Sequence, residues 1–318
     1  MTPQPPPGPP PIIHLGAGAE FDAIRQMLAR WGPRAVGIGD DAAVLQLPRG
    51  DCLVTSVDSF VEGRHFERGW ITSRDLGYRS VAAALSDLAA MAARPLGILV
   101  AMTVPESWRG NLMDLTDGIA DAVDVADTTI RGGNITGGTD LSITTTVLGS
   151  TFAPLTRAGA RVGHGVYVTG QLGGPGAALR RLLAGESAGE HHDRFVHPVP
   201  RLAESRWLAA AGASAAIDIS DGLMADAGHL AAASGVRIAI DARQIPRVHG
   251  ADARLALTSG EEYELLVTSP APFDVAAFAA RFGVPLTRIG SVVEGEPGTV
   301  HVQGARVAKA SGYDHFSR

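Results

Sequence analysis

The stretch Leu53-Val54-Thr55-Ser56-Val57-Asp58-Ser59-Phe60-Val61-Glu62-Gly63-Arg64-His65-Phe66 opens as an apolar, β-branched strand and then turns polar. Asp58, Glu62 and His65 fall where the strand is expected to leave its sheet, with Gly63 available for a turn. Side chains at a strand end are held rigidly enough to bind or catalyse. An ordinary polar loop after a strand would read the same way in isolation. The company it keeps argues otherwise. Acid-plus-glycine turns recur at Gly37-Ile38-Gly39-Asp40-Asp41, Arg131-Gly132-Gly133-Asn134, Asp218-Ile219-Ser220-Asp221-Gly222 and Ser259-Gly260-Glu261-Glu262.

A chain of 318 residues buries roughly three quarters of its unfolded surface, and its length suggests about two domains. Hydrophobic content of 45% and charged content of 19% are those of a soluble globular protein. A net charge of -6 argues against general nucleic-acid binding, which needs clustered Lys and Arg against phosphates. Cys52 is the single cysteine, so no internal disulfide forms and a reducing cytoplasm is the expected location. No apolar run reaches the roughly 20 residues of a membrane span, and no signal peptide is expected. Lys309 is the only lysine. A Walker A loop or a protein-kinase strand lysine is therefore impossible, and any handling of ATP takes a third route.

Residues 1–11 form a proline-rich lead that cannot build a core. Glu20 to Trp31 reads as a helix. Asp40 and Asp41 are adjacent carboxylates. At about 4 Å and an effective dielectric near 20 such a pair repels by roughly 4 kcal/mol, unless both face water or a Mg²⁺ ion sits between them. Thr72 to Arg94 is predicted as a helix, apolar nearly all round, with Asp87 buried in its middle and no partner one turn away. A cation or a distant Arg must meet that charge. Gly97 to Val104 reads as a strand, and Asn111 to Val125 as a helix whose Asp114, Asp117, Asp121 and Asp124 make a solvated face. Thr128 to Ile130 is expected to end in a glycine turn at Gly132-Gly133, a weak phosphate-binding signal, before a strand over Leu141 to Ser150.

A composition change around Thr151 to Val162 divides the chain into an N-terminal unit, 12–155, and a C-terminal unit, 156–318. The second begins with a strand at Val166 to Thr169 and a glycine turn that lacks dinucleotide-fingerprint spacing, so a structural turn is expected there. Residues 185–198 read as a loop, whose His191-His192-Asp193 is more simply a surface run than a metal site. Ala215 to Asp218 is a strand running into Ser220-Asp221-Gly222 and a helix, whose N-terminus favours phosphate and which Ser220 or Asp221 could cap. A cap explains one acid there but not two. Val236 to Ile240 is a further strand, and Pro272 to Phe282 a helix with Pro272 in its first turn. Tyr313 and Phe316 either cover a ring or pin the tail.

Taken together these residues resemble the thiamine-monophosphate kinase family, within the aminoimidazole ribonucleotide synthetase superfamily. The resemblance runs from Glu20 to Phe316. Gly39-Asp40-Asp41-x-Ala, Asp58-x-x-x-Glu-Gly-x-His65-Phe66, Ser86-Asp87-Leu-Ala-Ala-Met and Gly132-Gly133 carry it in the first half. In the second it rests on Thr156-Arg157-x-Gly-Ala, His197-Pro-x-Pro-Arg201, Asp218-x-Ser-Asp-Gly-Leu and Gly260-Glu261-x-Tyr-Glu-Leu. It implies an α/β (α+β) two-domain fold: an N-terminal sheet domain that dimerises, and a C-terminal α/β domain closing a cleft for ATP and several Mg²⁺ ions. It further implies Asp41, Ser56, Asp58, Asp87, Asn134, Asp218 and Asp221 as metal ligands. Gly133, Asn134, Arg157 and Ser220 match nucleotide contacts, and His65, Glu261 and Tyr313 match contacts to thiamine monophosphate. The implied chemistry is direct in-line transfer to the substrate's own phosphate, with metal rather than lysine supplying positive charge.

Two departures from the family pattern bear on the metal. Asn134 stands where an aspartate is usual, and Val57 replaces a hydroxyl residue. A relative acting on another small substrate and a non-catalytic nucleotide-binding protein are the alternatives. Superfamily enzymes that use a terminal cysteine are disfavoured, since Cys52 lies in a predicted strand and the chain ends Phe316-Ser317-Arg318.

Overall fold

The computed structural model describes residues 19–36, 38 and 45–305. The expectations at Asp40, Asp41 and Tyr313 lie outside these residues. Helix α1 (Ala19–Trp31) and strand β1 (Cys52–Val61) open the described chain, and α2 (Ser73–Ala90) and β2 (Arg94–Val104) follow. Then come α3 (Leu112–Val125), β3 (Ile130–Gly137) and β4 (Ser142–Thr151). These four strands form one sheet in the order β1-β4-β2-β3, with only β2 and β3 parallel.

Helix α2 follows β1 and packs on β1 and β4, and α3 crosses it closely. The crossing depends on two glycines. A Cβ on Gly77 would lie 2.2 Å from the Leu115 carbonyl oxygen, and one on Gly118 would lie 1.8 Å from that of Arg74. Thr72 caps α2 by accepting from the Asp75 amide, as expected of a threonine at that position. The helix ends at Ala90, four residues before Arg94, because the chain turns through Ala92 (φ 53°) and enters β2 at Arg94. The acids of α3 are not simply solvated: Asp117, Asp121 and Asp124 pair with Arg30, Arg74 and Arg34, which tie α1 and α2 to α3.

The second half holds β5 (Gly165–Thr169), α4 (Gly174–Leu183), α5 (His192–Val196), α6 (Leu202–Ala210), β6 (Ala215–Asp218) and α7 (Leu223–Ser234). It continues with β7 (Arg237–Asp241), α8 (Ala253–Thr258), β8 (Leu265–Ser269), α9 (Val275–Phe282), β9 (Leu286–Val293) and β10 (Val300–Gln303). The six strands order as β10-β7-β9-β5-β8-β6 in a mixed sheet. Strands β5 and β8 are buried on both faces. Val166, Val168 and Leu266 join a core with α7, while Tyr167, Leu265 and Val267 join a second core with Phe273 and Phe278. That second core continues into the first half through Leu85, Leu88 and Phe60. The all-round apolarity of α2 thus has its reason: it is covered by its own sheet on one side and by β6 and α6 on another.

Three further expectations change. Residues 189–196 are helical rather than loop, through a 3-10 turn and α5. Helix α9 starts after Asp274, which caps it by accepting from the Ala277 amide, so Pro272 precedes the helix. Gly132 and Gly133 lie inside edge strand β3 and form no turn. A Cβ on Gly133 would sit 1.9 Å from the Val100 carbonyl oxygen, so close strand packing accounts for that glycine. Among the described residues no helix is long and apolar enough to cross a membrane.

Candidate active site

Strand β1 alternates, sending Val54, Ser56, Asp58 and Phe60 toward α2 and Leu53, Val57 and Ser59 outward. Asp58 is not at the strand's end. It pairs with Thr145 of β4, and β1 runs on to Val61. Glu62 turns away to accept from the Trp108 indole N–H at 2.9 Å and is a structural residue. His65 curls back, its Nδ1 accepting from the Val61 amide at 3.1 Å and its ring 5.3 Å from that of Phe60.

Helix α2 brings two consecutive residues to opposite partners. Ser56 Oγ donates to Asp87 Oδ2 at 2.5 Å, while Ser86 Oγ donates to Asp218 Oδ2 at 2.8 Å. Asp87 is half-buried rather than enclosed in the helix as its surroundings in sequence suggested. Asp58, Asp87 and Asp218 thereby meet at the seam between the two halves. Burial, reinforced by the charge of Asp87, raises Asp58 to about 6. Burial and the same neighbour lift Asp218 to about 7, with Asp58 adding to the effect and Ser86 and Arg157 opposing it. Asp58 and Asp218, whose ionisation burial and the neighbouring acids oppose, stand with Asp87 as a group that fits a hard divalent cation, which takes oxygen donors and reverses the repulsion.

The loop after β6 is fixed from behind. Asp226 Oδ2 accepts from the amides of Ser220 and Asp221, both at 3.1 Å. Neither Ser220 nor Asp221 caps α7; the cap is Gly222 at φ 110°, and it makes no side-chain bond. Burial, then the charges of Asp218 and Asp221, lifts Asp226 to about 7. Asp221, Asp226 and His229 hold ligand atoms within 4.8 Å of one another, an extension of the acid group that the Asp-x-Ser-Asp motif alone did not signal.

A cavity of about 580 Å³ lies along this seam. Asp58, Asp87, Asp218, Ser220 and Asp221 line it, and so do His65 and Glu261. Its apolar lining includes Phe60, Phe66, Trp70 and Phe195, contributed by both halves. A flat, partly apolar ring with a polar tail suits such a space. Glu261 stands in the left-handed region at φ 57°, its amide bonded to the Ser220 carbonyl at 2.7 Å and its side chain to Arg79 at 2.5 Å. Behind it, burial raises Glu262 to about 7 even though the Gly173 amide donates to it. Glu264, fully buried, is nonetheless held below its ordinary range because Arg201, Thr169 and Arg194 outweigh burial.

Four expected residues of the described chain fall outside the cavity lining: Ser56, which bonds to the lining residue Asp87, and Gly133, Asn134 and Arg157. Arg157 is exposed, but its charge reaches Asp218. Asn134 pairs with Ala101 on the outward face of the first sheet, the side opposite Ser56 and Asp58. Val57 shares that outward face, so its lost hydroxyl does not touch the acid group. His191 bonds to the His249 carbonyl at 2.9 Å, away from the acids. Arg79 and Asp226 had escaped sequence reading. The clue for Arg79 was a lone arginine in the apolar run Leu76 to Leu85, the same clue that exposed Asp87.

Residues 39–151 match the family of AIR synthase related proteins, N-terminal domain, and residues 161–303 the corresponding C-terminal domain. The thiamine-monophosphate kinase of Salmonella typhimurium is 37% identical over 88% of this chain and 92% of its own length. The crystal structure of thiamine-monophosphate kinase from Stenotrophomonas maltophilia superimposes with a TM-score of 0.80 at 36% identity, covering 90% of this chain and 97% of the other. A further structure, AaThiL complexed with AMPPCP and TMP, gives a TM-score of 0.75 at 30% identity, covering 93% and 97%. Likeness at this level spans both sheets and the seam that carries the acids, and the chain belongs to the thiamine-monophosphate kinase family.

Proposed function

We propose that the cleft transfers the γ-phosphate of ATP to the phosphate of thiamine monophosphate, giving thiamine diphosphate and ADP. The observation that carries this reading is the convergence of Asp58, Asp87 and Asp218 beside an aromatic-lined cavity that also presents His65 and Glu261. The likeness to a relative complexed with AMPPCP and TMP supports it.

Asp58, Asp87, Asp218 and Asp221, with Ser56 and Asp41, would hold Mg²⁺. The ions supply the positive charge that converging phosphates require in a chain with one lysine. Ser220, on a loop whose amides are tied by Asp226, would contact the nucleotide, and the Arg157 guanidinium would approach it from the domain seam. His65, Glu261 and Tyr313 would orient thiamine monophosphate so that its own phosphate oxygen attacks in line. No covalent enzyme intermediate is expected, and the residues act by positioning and charge neutralisation.

The same reading makes the protein a homodimer. The outward face of the first sheet exposes Leu53 and Val57, and no element described covers it. A second copy seated there would give Asn134 and the Gly133 strand their access to a nucleotide. The N-terminal unit would be 12–155 and the C-terminal unit 156–318, at work in the cytoplasm. The test is turnover: ATP, Mg²⁺ and thiamine monophosphate should yield thiamine diphosphate and ADP. Absence of product under those conditions refutes the assignment.

A further inference from the structure

Arg79 lies in the second turn of α2, and its side chain is among the largest that are fully buried. Its guanidinium stands 4.0 Å from the ring centre of Phe195 and 5.6 Å from that of Phe60, two residues of the cavity wall. Nη2 donates to Glu261 Oε2 at 2.5 Å, whereas Nε and Nη1 have no hydrogen-bond partner among the described residues. Such an arrangement is a poor stabiliser. A buried cation with one carboxylate partner and two unmet donors is often matched or bettered by an apolar side chain of similar volume.

The geometry explains what it does instead. Glu261 is the end of a strained segment, with both Glu261 and Tyr263 at positive φ (57° and 51°), a conformation that persists only where the surroundings over-determine it. Two restraints do so. The backbone is bonded to Ser220, and the side chain is clamped by Arg79 from the other half of the molecule. The Glu261 side chain remains 29% exposed and lines the cavity, so Oε2 is committed to Arg79 and the other oxygen is left to accept from a ligand. A carboxylate fixed in a cavity that Phe60, Phe66, Trp70 and Phe195 also line suits a heterocycle that carries an amino group and a positive charge.

We propose that Arg79 is the positioning residue that fixes Glu261 for the amino-bearing, cationic heterocycle of the phosphate acceptor, and so governs which phosphate monoester enters. The inference rests on the function proposed above. It separates recognition of the acceptor ring, governed by Arg79 and Glu261, from phosphoryl transfer at Asp58, Asp87 and Asp218.

The experiment is steady-state kinetics on Arg79→Met, Glu261→Gln and the double variant. Arg79→Met should raise KM for thiamine monophosphate about ten-fold, with kcat and the KM for ATP within about two-fold of wild type. The double variant should match Glu261→Gln alone, because Arg79 acts through that carboxylate. If Arg79→Met does not fold, the comparison of the double variant with Glu261→Gln still decides. A further rise of several-fold in KM for thiamine monophosphate when Arg79 is removed would overturn the inference. So would an Arg79→Met enzyme whose kcat and both KM values worsen together, the pattern of a mere brace. Wild-type protein inert on thiamine monophosphate would overturn the functional reading and this inference together, whereas active wild type with an unchanged KM in Arg79→Met overturns this inference alone.

Discussion

Ser86 Oγ donates to Asp218 Oδ2 at 2.8 Å, and this bond joins a helix of the first half to a strand end of the second. The next residue, Asp87, receives the Ser56 hydroxyl from β1. One turn of α2 therefore sets the register of both domains against each other and aligns carboxylates from three elements. Relative movement of the halves would pull the acid group apart, so the proposed cation site depends on cleft geometry.

The acid group should make the metal-free protein less stable as pH rises. Asp218 and Asp58 titrate at about 7 and about 6 in the fold, against about 4 in an unfolded chain. Between those values the native state binds more protons than the unfolded state, so stability is fully present below about pH 4 and declines until about pH 7. A carboxyl lifted this far costs at most on the order of 4 kcal/mol. In chelator, Asp218→Asn should gain stability relative to wild type at pH 8 and little at pH 4.5. Urea titrations at both pH values check it, and a pH-independent difference would contradict an electrostatic origin.

Asp87→Asn should abolish turnover while leaving the protein folded. The amide keeps an acceptor for Ser56 but removes the charge that raises both Asp58 and Asp218. Metal-free Asp87→Asn should melt at or above the wild-type temperature, while Mg²⁺ stabilises it less than it does wild type. Wild-type rates in this variant, or full wild-type activity in excess chelator, would remove the metal assignment.

Much of this site was legible because charge in an apolar context is rare. Asp87 in an alanine-rich helix and the paired acids around Ser220 stood out without any partner in view. Their partners did not. Arg79 and Glu261 are 182 residues apart, and what Asp226 holds is two backbone amides. Local signals also misled where geometry depends on a neighbour. Gly132-Gly133 looks like a turn, yet Gly133 is required by the Val100 carbonyl in the adjacent strand. Asp58 looked like a strand end because polar residues follow, but pairing with β4 carries β1 three residues further.

The outward face of the first sheet should hold a second copy of the chain. Val57 is 58% exposed there and Leu53 50%, on a strand whose opposite side is packed. Light scattering at micromolar concentration should give about twice the 32.9 kDa chain mass. Val57→Arg should shift the protein toward the single-chain mass without unfolding it, since an isolated charge at that face is tolerated only in water. A single-chain mass for the wild type would refute the dimer.

Asn134 supplies the last test, because its place in the fold narrows its possible roles. A turn function is ruled out: Asn134 lies inside β3, pairs with Ala101, and is not among the residues of positive φ. Its side chain is on the outward sheet face, away from Asp58. If it reaches a nucleotide-bound cation, it does so where a second copy docks, and it contributes an amide dipole in place of a full charge. Asn134→Asp should then lower the Mg²⁺ concentration for half-maximal rate by roughly five-fold, equivalent to about 1 kcal/mol, with KM for thiamine monophosphate unchanged. The effect should vanish when Val57→Arg is added, because the second copy is then absent. Superimposable Mg²⁺ curves for wild type and Asn134→Asp would exclude Asn134 from the metal site. A shift that survives in the Val57→Arg background would instead mean that the residue acts within one chain.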